Sequence, residues 1–462
     1  MKETIAAISS GMTQSGIGIV RVSGPESREI VGKIFSTKSG KPVRLAEANH
    51  IYYGFIKNVS RETSDEVLVM NLQAPHSFTG EDTVEIDCHG GILMMKRVLE
   101  AVLDAGARMA EPGEFTKRAF LNGRIDLSQA EAVINVINAR NDNAIRASVG
   151  QLKGNLSEKI KDIRKQILNR TAFIEAALDD PEHYSLDGFA EQLDLETAEL
   201  SKEIEALIRS YERGKIISEG INTVILGKPN AGKSSLLNAI LGEERAIVTQ
   251  IPGTTRDTIC ESVSIGNITL NLMDTAGIRE TNDLVEEIGV KKALESADKA
   301  DLILCVTDSS VPADENDKEI FRYVSTHPAK VLYVINKTDL EPAQETEDLL
   351  ADVPEAERDT ICLSAKNGTG LDALFARIEE LFSAGDISCN DEIVISSLRH
   401  EGLLDSALKS LQAVRASIAD GMTEDFFTVD LMDAYTALGE IIGEAVSEDL
   451  INEIFSEFCM GK

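Results

Sequence analysis

The segment from Gly227 to Ser234 has the residue types and spacing of a loop that binds nucleotide phosphates. Its residues, Gly-Lys-Pro-Asn-Ala-Gly-Lys-Ser, fit the pattern G-x-x-x-x-G-K-[ST] between a predicted strand and a predicted helix. Backbone N–H groups of such a loop face the phosphates at the positive end of the helix. Lys233 would reach the β- and γ-phosphates, and the Ser234 hydroxyl would bind Mg²⁺. The segment therefore predicts a nucleoside triphosphate site.

Four further motifs follow in the order that a GTPase requires. Gly253-Thr-Thr-Arg-Asp257 offers a second Mg²⁺ ligand, and Asp274-Thr-Ala-Gly277 offers a carboxylate for a Mg²⁺-bound water and an N–H for the γ-phosphate. Asn336-Lys-Thr-Asp339 ends with a carboxylate that can accept hydrogen bonds from guanine N1–H and the 2-amino group, which adenine cannot supply. Ser364-Ala-Lys366 can donate a backbone N–H to guanine O6. Together these motifs predict a guanine-nucleotide domain.

The residue that would orient the attacking water is not the one that Ras-like proteins use. Ile278 follows the Asp274–Gly277 motif, where those proteins have a glutamine. Either hydrolysis is slow or another group replaces the glutamine. The amide oxygen of Asn230 could bind a monovalent cation that neutralises charge on the phosphates, and the acidic segment 282–287 could supply a carboxylate. The alternative is that Asn230 only caps the loop and that the acidic residues face solvent.

Composition and charge limit the other functions that can be considered. The 462 residues are enough for about three domains, no apolar run has the length of a membrane span, and the N-terminus has no secretion signal. The six cysteines form no C-x-x-C pair, which argues against a zinc site or a disulfide framework and favours the cytoplasm. The net charge is −32, almost all of it beyond residue 130, so a nucleic acid must meet a local basic patch or arrive with another protein.

Hydrophobic periodicity divides the chain into parts. Strand patterns are predicted at 4–9, 17–22, 51–57, 67–72 and 83–88, and helix patterns at 27–35 and 92–105, which is typical of an α+β domain over residues 1–120. Helical patterns dominate residues 121–215, with one helix ending near Gly214, and they resume over 384–462. We therefore predict one discontinuous helical domain into which the GTPase domain, residues 216–383, is inserted.

Motifs outside the nucleotide domain resemble those of a known family. They are Gly16–Gly24, Ser77–Gly91, Pro112–Arg124 and the terminal Phe458-Cys-Met-Gly-Lys462. With the guanine-nucleotide motifs, they make the chain similar to the MnmE (TrmE) family of tRNA-modification GTPases over essentially its full length. The resemblance implies three parts: an α+β N-terminal domain that binds folate and dimerises, an all-α helical domain, and an inserted α/β Ras-like P-loop GTPase domain.

The resemblance also implies a reaction and its partners. Such proteins work as homodimers in the cytoplasm with an FAD-containing partner, MnmG, in a heterotetramer or larger complex that acts on tRNA and does not involve a membrane. Together they add an aminomethyl or carboxymethylaminomethyl group to C5 of the wobble uridine. The one-carbon unit comes from 5,10-methylene-tetrahydrofolate, for which 5-formyl-tetrahydrofolate is a bound analogue.

The folate contacts of the family fall on Arg21, Glu85, Arg124 and Lys462. Glu85 alternates with apolar neighbours, so it faces the polar side of its strand, where a carboxylate could pair with the amino edge of a pterin. The alternative, without the resemblance, is that Arg21 and Glu85 form a surface ion pair on the sheet. Position 124 is Arg where family members can carry Lys, which keeps the charge and changes the donor geometry. Cys459 lies near the folate in this family as a proposed catalytic residue, although an unpaired cysteine is most often a small buried hydrophobe.

The hydrolytic residues of the family also map onto this sequence. The resemblance implies that K⁺, bound by Asn230, Thr249, Ile251 and Thr254, promotes face-to-face dimerisation of two GTPase domains. Mg²⁺ would use Ser234 and Thr255, with Lys233 and the water-polarising Glu286 as catalytic residues. The GTP-binding residues expected are Asn230, Ala231, Gly232, Lys233, Ser234, Ser235, Thr249, Gln250, Ile251, Pro252, Gly253, Thr254, Asp274, Thr275, Ala276, Gly277, Asn336, Lys337, Asp339, Ser364, Ala365 and Lys366.

Two other functions fit part of the same evidence. An RNA-binding or ribosome-assembly GTPase switch would have the same nucleotide motifs, but it needs neither a folate pocket nor a terminal lysine. An inactive nucleotide-binding scaffold conflicts with the intact Lys233, Ser234, Thr255 and Asp274.

Overall fold

A computed structural model gives the fold. It describes residues 3–37, 48–58, 62–242, 247–249, 261–273, 297–343, 350, 353–354, 358–382, 393–444, 446–456, 458 and 461. The chain divides into two compact units: Met1–Ile137, Val149–Ile204 and Gly402–Lys462 form the first, and Asn138–Ser148 and Glu205–Glu401 form the second. The division into three domains remains a prediction, because the first unit contains both the N-terminal sheet and most of the helical segments.

A seven-stranded sheet forms the N-terminal part of the first unit, in the order β3-β4-β5-β6-β2-β1-β7. Its strands are β1 (Ile5–Ile8), β2 (Ile17–Ser23), β3 (Phe35–Ser36), β4 (His50–Lys57), β5 (Thr63–Leu72), β6 (Thr83–His89) and β7 (Arg108–Met109). Helices α1 (Ser27–Ile34) and α2 (Ile92–Asp104) share a hydrophobic core with one face of this sheet. Along β6, Val84, Ile86 and Cys88 are buried in that core, so Glu85 and Asp87 lie on the opposite face.

The rest of the first unit is helical, as the periodicity predicts. The helices that contribute to it are α3 (Glu114–Leu121), α4 (Leu127–Asn138), α5 (Asp142–Leu152), α6 (Asn155–Asp179) and α7 (Phe189–Glu219), followed near the C-terminus by α11 (Leu398–Ala419), α12 (Glu424–Ile441) and α13 (Glu448–Ser456). In α6, Leu156, Ile160, Ile163 and Ile167 are buried, and their spacings of four, three and four residues place them on one side of the helix. No helix within the described ranges is long and apolar enough to cross a membrane.

The prediction that a helix ends near Gly214 is wrong, because α7 continues to Glu219. A Cβ atom at position 214 would lie 2.0 Å from the carbonyl oxygen of Ile395. The backbone amide of Ile395 also donates to Ser210 Oγ at 3.0 Å. Glycine at this position therefore permits close approach of the returning chain, rather than ending the helix.

The second unit contains the nucleotide domain, built on another seven-stranded sheet with the order β14-β13-β12-β8-β11-β10-β9. Its strands are β8 (Ile221–Leu226), β9 (Ile247–Thr249), β10 (Glu261–Ile265), β11 (Ile268–Leu272), β12 (Leu302–Asp308), β13 (Lys330–Asn336) and β14 (Thr360–Cys362). The pairs from β14 to β11 are parallel. The helices are α8 (Lys233–Gly242), α9 (Glu315–Ser325) and α10 (Leu371–Phe382). Parallel strands with helical crossovers are the predicted α/β architecture, whose ligand sites lie at the carboxyl ends of the strands.

Candidate functional site

The phosphate loop joins β8 to α8 and has the backbone conformation that its glycines allow. Gly227, Asn230 and Gly232 have φ angles of 149°, 62° and 102°, respectively. A Cβ atom at Gly227 would lie 2.2 Å from the carbonyl oxygen of Val306, and only glycine avoids that contact. Lys233 Nζ donates to the carbonyl oxygens of Gly227 and Lys228 at 2.8 Å each, so the amine is held over the loop.

One buried asparagine connects the phosphate loop to both base-recognition motifs. Asn336 is only 2% exposed. Its Nδ2 donates to the carbonyl oxygen of Ala231 at 2.9 Å, and its Oδ1 accepts from the backbone N–H of Ala365 at 3.0 Å. A Cβ atom at Gly232 would lie 2.0 Å from the same Nδ2, so the loop approaches this side chain closely. The structure thus brings the 227–234, 336–339 and 364–366 motifs to one edge of the sheet.

The carboxylate expected to recognise guanine is oriented by a neighbouring motif. Ser364 Oγ donates to Asp339 Oδ1 at 2.7 Å, and this bond lowers the pKa of Asp339. Lys337 Nζ donates to Asp308 Oδ2 at 2.6 Å. Burial opposes ionisation of Asp308, but the bonds from Lys337 and Ser310 hold its pKa below the usual value. Both carboxylates are therefore ionised at neutral pH.

Lys228 and two acidic partners form a contact at the phosphate loop that the sequence analysis missed. Lys228 Nζ bonds to Asp317 Oδ2 at 2.6 Å and to Asp314 Oδ2 at 3.2 Å. Asp314 is the N-cap of α9, and Asp317 completes its capping box. Burial disfavours the charged Lys228, yet the bonds to Asp317 and Asp314 raise its pKa. These two ion pairs link the phosphate loop to the start of α9. The acidic pair three residues apart is a sequence signal that could have been read as a helix start.

Many predicted site residues lie outside the described residues. These are Gln250, Ile251, Pro252, Gly253, Thr254, Thr255, Asp274, Thr275, Ala276, Gly277, Glu286, Cys459 and Lys462. For Thr249 only the backbone is described, as the last residue of β9. The roles assigned to them remain predictions, including the water-polarising, K⁺-binding and terminal folate contacts.

In the first unit, Arg21 and Glu85 lie opposite each other on paired strands and form an ion pair. Arg21 Nε donates to Glu85 Oε1 at 2.7 Å, and the side chains are only 12% and 14% exposed. The guanidinium lies 5.0 Å from the ring centroid of Phe78 and 5.5 Å from that of Phe115. Its Nη1 is buried and has no hydrogen-bond partner among the described residues. The pair is therefore mostly buried, and it keeps one donor for a further acceptor.

One more predicted folate contact, Arg124, and the residue before the predicted contact Lys462 can be located in this part of the structure. The guanidinium of Arg124 lies 5.2 Å from the same Phe78 ring, and its Nη1 donates to the Phe78 carbonyl oxygen at 2.8 Å. A Cβ atom at Gly461 would lie 2.1 Å from the carbonyl oxygen of Ile8, so the residue before the C-terminal lysine lies against the end of β1. The strand β1 pairs in turn with β2, which carries Arg21.

Asp87 is a second carboxylate on this face that the sequence analysis missed. Burial, and then the charge of Glu85, raise the pKa of Asp87. Its Oδ1 is buried without a hydrogen-bond partner among the described residues. The alternation that places Glu85 on the polar side of its strand places Asp87 there too, so the sequence contained the signal. The face thus carries buried groups that can both donate to and accept from a polar ring.

Comparisons with known proteins agree along the whole chain. A model described as "MnmE helical domain" matches residues 127–459, and one described as "GTP-binding protein TrmE N-terminus" matches residues 4–124. The chain is 55% identical to the tRNA modification GTPase MnmE of Lachnoclostridium phytofermentans, with 100% of this chain and 99% of that relative covered. It is 46% identical to the protein of that name from Acetivibrio thermocellus, with 100% and 99% covered. For the Bacillus subtilis protein the identity is 44%, and both chains are covered completely.

Proposed function

Because the chain belongs to the MnmE family of tRNA modification GTPases, we propose that it couples GTP hydrolysis to a one-carbon modification of tRNA. The enzyme is a GTPase that acts in tRNA modification, because its relatives carry that name and its sequence contains the nucleotide motifs of a GTPase. The observation that carries the proposal is the coexistence of two prepared sites. One is the Asn336-centred nucleotide site, and the other is the buried Arg21–Glu85 pair in the N-terminal sheet.

The nucleotide site would discriminate guanine through Asp339, whose carboxylate is oriented by Ser364. The amine of Lys233 and the N–H groups of α8 would stabilise the phosphates, and Ser234 would hold Mg²⁺, which neutralises charge on the γ-phosphate. Asn230 is exposed at the surface of the loop with a left-handed backbone, which leaves its amide oxygen accessible to a monovalent cation. We expect Asn230→Ala to remove any acceleration of hydrolysis by K⁺ over Na⁺. Equal rates of GTP hydrolysis by the parent protein in K⁺ and Na⁺ would show that no such cation takes part.

The folate site would use the polar face of β6. The Glu85 carboxylate would accept from the amino edge of a pterin, and the spare Nη1 donor of Arg21 suits a carbonyl or carboxylate oxygen. Arg124 and the C-terminal Lys462 would contribute further positive charge. The bound folate would supply the carbon that becomes attached to C5 of the wobble uridine. The residues of this protein would bind and orient the folate. The reaction would take place in the cytoplasm together with the FAD-containing partner MnmG and the tRNA.

The experiment that tests this site measures the affinity for 5-formyl-tetrahydrofolate by calorimetry. Arg21→Met keeps the aliphatic stem and removes the guanidinium, so we expect at least tenfold weaker binding, which corresponds to about 1.4 kcal/mol. Lys33→Met, in the exposed Lys33–Glu29 pair of α1, is the matched control and should bind like the parent protein. If the parent protein bound no folate, only the alternative function, a nucleotide switch without one-carbon chemistry, would remain.

A cellular assay separates the proposed function from the switch alternative. Wobble-uridine modification is measured in tRNA from a strain that lacks this protein and carries either the parent chain or Arg21→Met. The parent chain should restore the modification and the variant should not, although it still hydrolyses GTP. Full restoration by the variant would show that hydrolysis and the N-terminal site are not linked.

Homodimerisation is proposed to use the sheet face that α1 and α2 do not cover. Ile17, Ile51, Tyr53 and Leu68 are all exposed, and the strand registers place them on that face together with Glu85. Exposed apolar surface of this extent is typical of protein contacts. We expect Leu68→Lys to shift the protein from dimer to monomer in analytical ultracentrifugation. Leu195→Lys, at an exposed site on α7, should remain dimeric.

A further inference from the structure

A row of exposed apolar side chains runs along α12 on the side away from the core. Met422, Phe426, Val429 and Met432 follow at spacings of four, three and three residues, and each is between 37% and 61% exposed. These spacings place Phe426, Val429 and Met432 along one side of α12, and Met422 lies just before its first residue, Glu424. Together they expose apolar surface on the order of a few hundred Å², a size at which patches on soluble proteins are often functional. We call these four residues the α12 surface.

The charged residues of α12 itself are all acidic. Asp425, Asp430 and Asp433 lie on or next to the α12 surface, and α12 contains no lysine or arginine over Glu424–Ile441. Among the residues that the structure describes, none of these three carboxylates forms an ion pair. Burial, and then the nearby Asp433, raise the pKa of Asp430. An approaching cation would therefore be attracted to this surface and would relieve repulsion between its carboxylates.

The opposite side of α12 is buried and packs against α6. Phe427, Leu431 and Leu438 are buried. The guanidinium of Arg164, from α6, stacks 4.0 Å from the Tyr435 ring centroid and donates to the Tyr435 carbonyl oxygen at 3.1 Å. The α12 surface is thus presented on a fixed helix, which reduces the entropy lost when a partner binds.

We propose that the α12 surface is a docking site for a basic amphipathic helix of another protein. The apolar side of that helix would cover Phe426 and Val429, and its flanking lysines or arginines would meet Asp430 and Asp433. A second copy of this chain is disfavoured because a symmetric contact would bring two acidic faces together. RNA is disfavoured because its phosphates would meet carboxylates. This proposal does not rest on the one-carbon chemistry.

The chain contains no tryptophan, so Phe426→Trp places a single fluorescent reporter on the α12 surface. The probe is an 18-residue synthetic helix with leucines along one side and lysines on both flanks. Its counterpart has glutamates in place of the lysines. We expect a saturable blue shift of the tryptophan emission with the lysine peptide, at least tenfold tighter than with the glutamate peptide.

Substitutions in the Phe426→Trp background decide whether the α12 surface itself is responsible. Val429→Asp should weaken binding of the lysine peptide at least tenfold, and the double change Asp430→Asn with Asp433→Asn should reduce its dependence on salt. Leu195→Asp, an equally exposed apolar site on α7, is the matched control and should bind normally. Met422→Asp, which precedes the helix, replaces Val429→Asp if circular dichroism shows that the latter is unfolded.

Three results would overturn the proposal. Equal binding by the Val429→Asp and Leu195→Asp variants would mean that the peptide responds only to the overall negative charge. Self-association of the parent protein that Val429→Asp abolishes would identify a second copy as the occupant. A saturable shift of the tryptophan emission when a short single-stranded RNA is added without peptide, lost in the Val429→Asp variant, would identify a nucleic acid instead.

Discussion

Replacement of Asn336 tests whether one buried amide holds the nucleotide site together. Asn336→Ala leaves the carbonyl oxygen of Ala231 and the N–H of Ala365 without their partners in a buried setting. Each unsatisfied group costs about 1–3 kcal/mol, so the change should lower the free energy of opening this region by about 2–6 kcal/mol. That is a large fraction of the total stability of an ordinary domain.

Asn336→Asp distinguishes the contributions of the two hydrogen bonds. The introduced carboxylate still accepts from the N–H of Ala365, but it has no donor for the carbonyl oxygen of Ala231. The expected loss is therefore about 1–3 kcal/mol, from one unsatisfied group, with a further cost for the buried charge. On protonation the carboxyl group regains an O–H donor. Because burial raises its pKa, the difference from the parent protein should shrink as the pH falls towards that pKa.

Amide hydrogen exchange followed by mass spectrometry measures these losses in the full-length protein. A loss of 1–3 kcal/mol corresponds to exchange that is roughly 5–150 times faster, which should appear in the peptides containing Ala231 and Ala365. GDP binding should weaken as well, because the separated loops must then be ordered by the nucleotide. Asn367→Ala, an exposed change in the same turn, is the control. Unchanged exchange and unchanged GDP affinity in Asn336→Ala would refute the reasoning.

Three further predictions concern single residues. Asp339→Asn should reduce the preference for GTP over xanthosine triphosphate by several orders of magnitude in competition binding, because a buried or oriented polar group discriminates strongly against the wrong hydrogen-bonding edge; an unchanged preference would remove Asp339 from base recognition. Burial of Glu114 opposes its ionisation, but hydrogen bonds from Arg108 and from the Glu111 N–H help lower the pKa of Glu114 in the folded state. The stability that the Glu114 carboxylate contributes is therefore present above its unfolded pKa and is lost as the pH falls. The difference in melting temperature between the parent protein and Glu114→Gln should therefore narrow between pH 7 and pH 3, and a constant difference would contradict the assignment. Arg164→Met should destabilise the first unit by about 1–3 kcal/mol in urea unfolding, because the Tyr435 carbonyl oxygen loses its donor while the exposed Glu444 carboxylate stays hydrated; a change within 0.5 kcal/mol would show that apolar packing alone holds α12 on α6.

The sequence predicts secondary structure and fold class well where these depend on neighbouring residues along the chain. The α+β, all-α and Ras-like P-loop α/β classes follow from periodicity, from the G-x-x-x-x-G-K-S loop and from the family resemblance. β-Strand alternation places Glu85 on the polar face of β6, as the structure has it. β12 was missed although it is entirely buried, because a short apolar run without alternation does not distinguish a strand from a helix.

Contacts between distant segments were decided by the tertiary structure. Gly214 has the local signature of a helix end, but its lack of a side chain serves the approach of Ile395, which lies far away in the sequence. Lys228, in the phosphate loop, likewise depends on distant residues: its carboxylate partners are Asp314, the N-cap of α9, and Asp317 in its first turn. Helix and strand periodicity are set by neighbours along the chain, whereas these contacts depend on which elements pack together. Side-chain spacing therefore predicted which residues bind a nucleotide, and only the packing of β8, β13 and β14 brought Ala231, Asn336 and Ala365 within hydrogen-bonding distance.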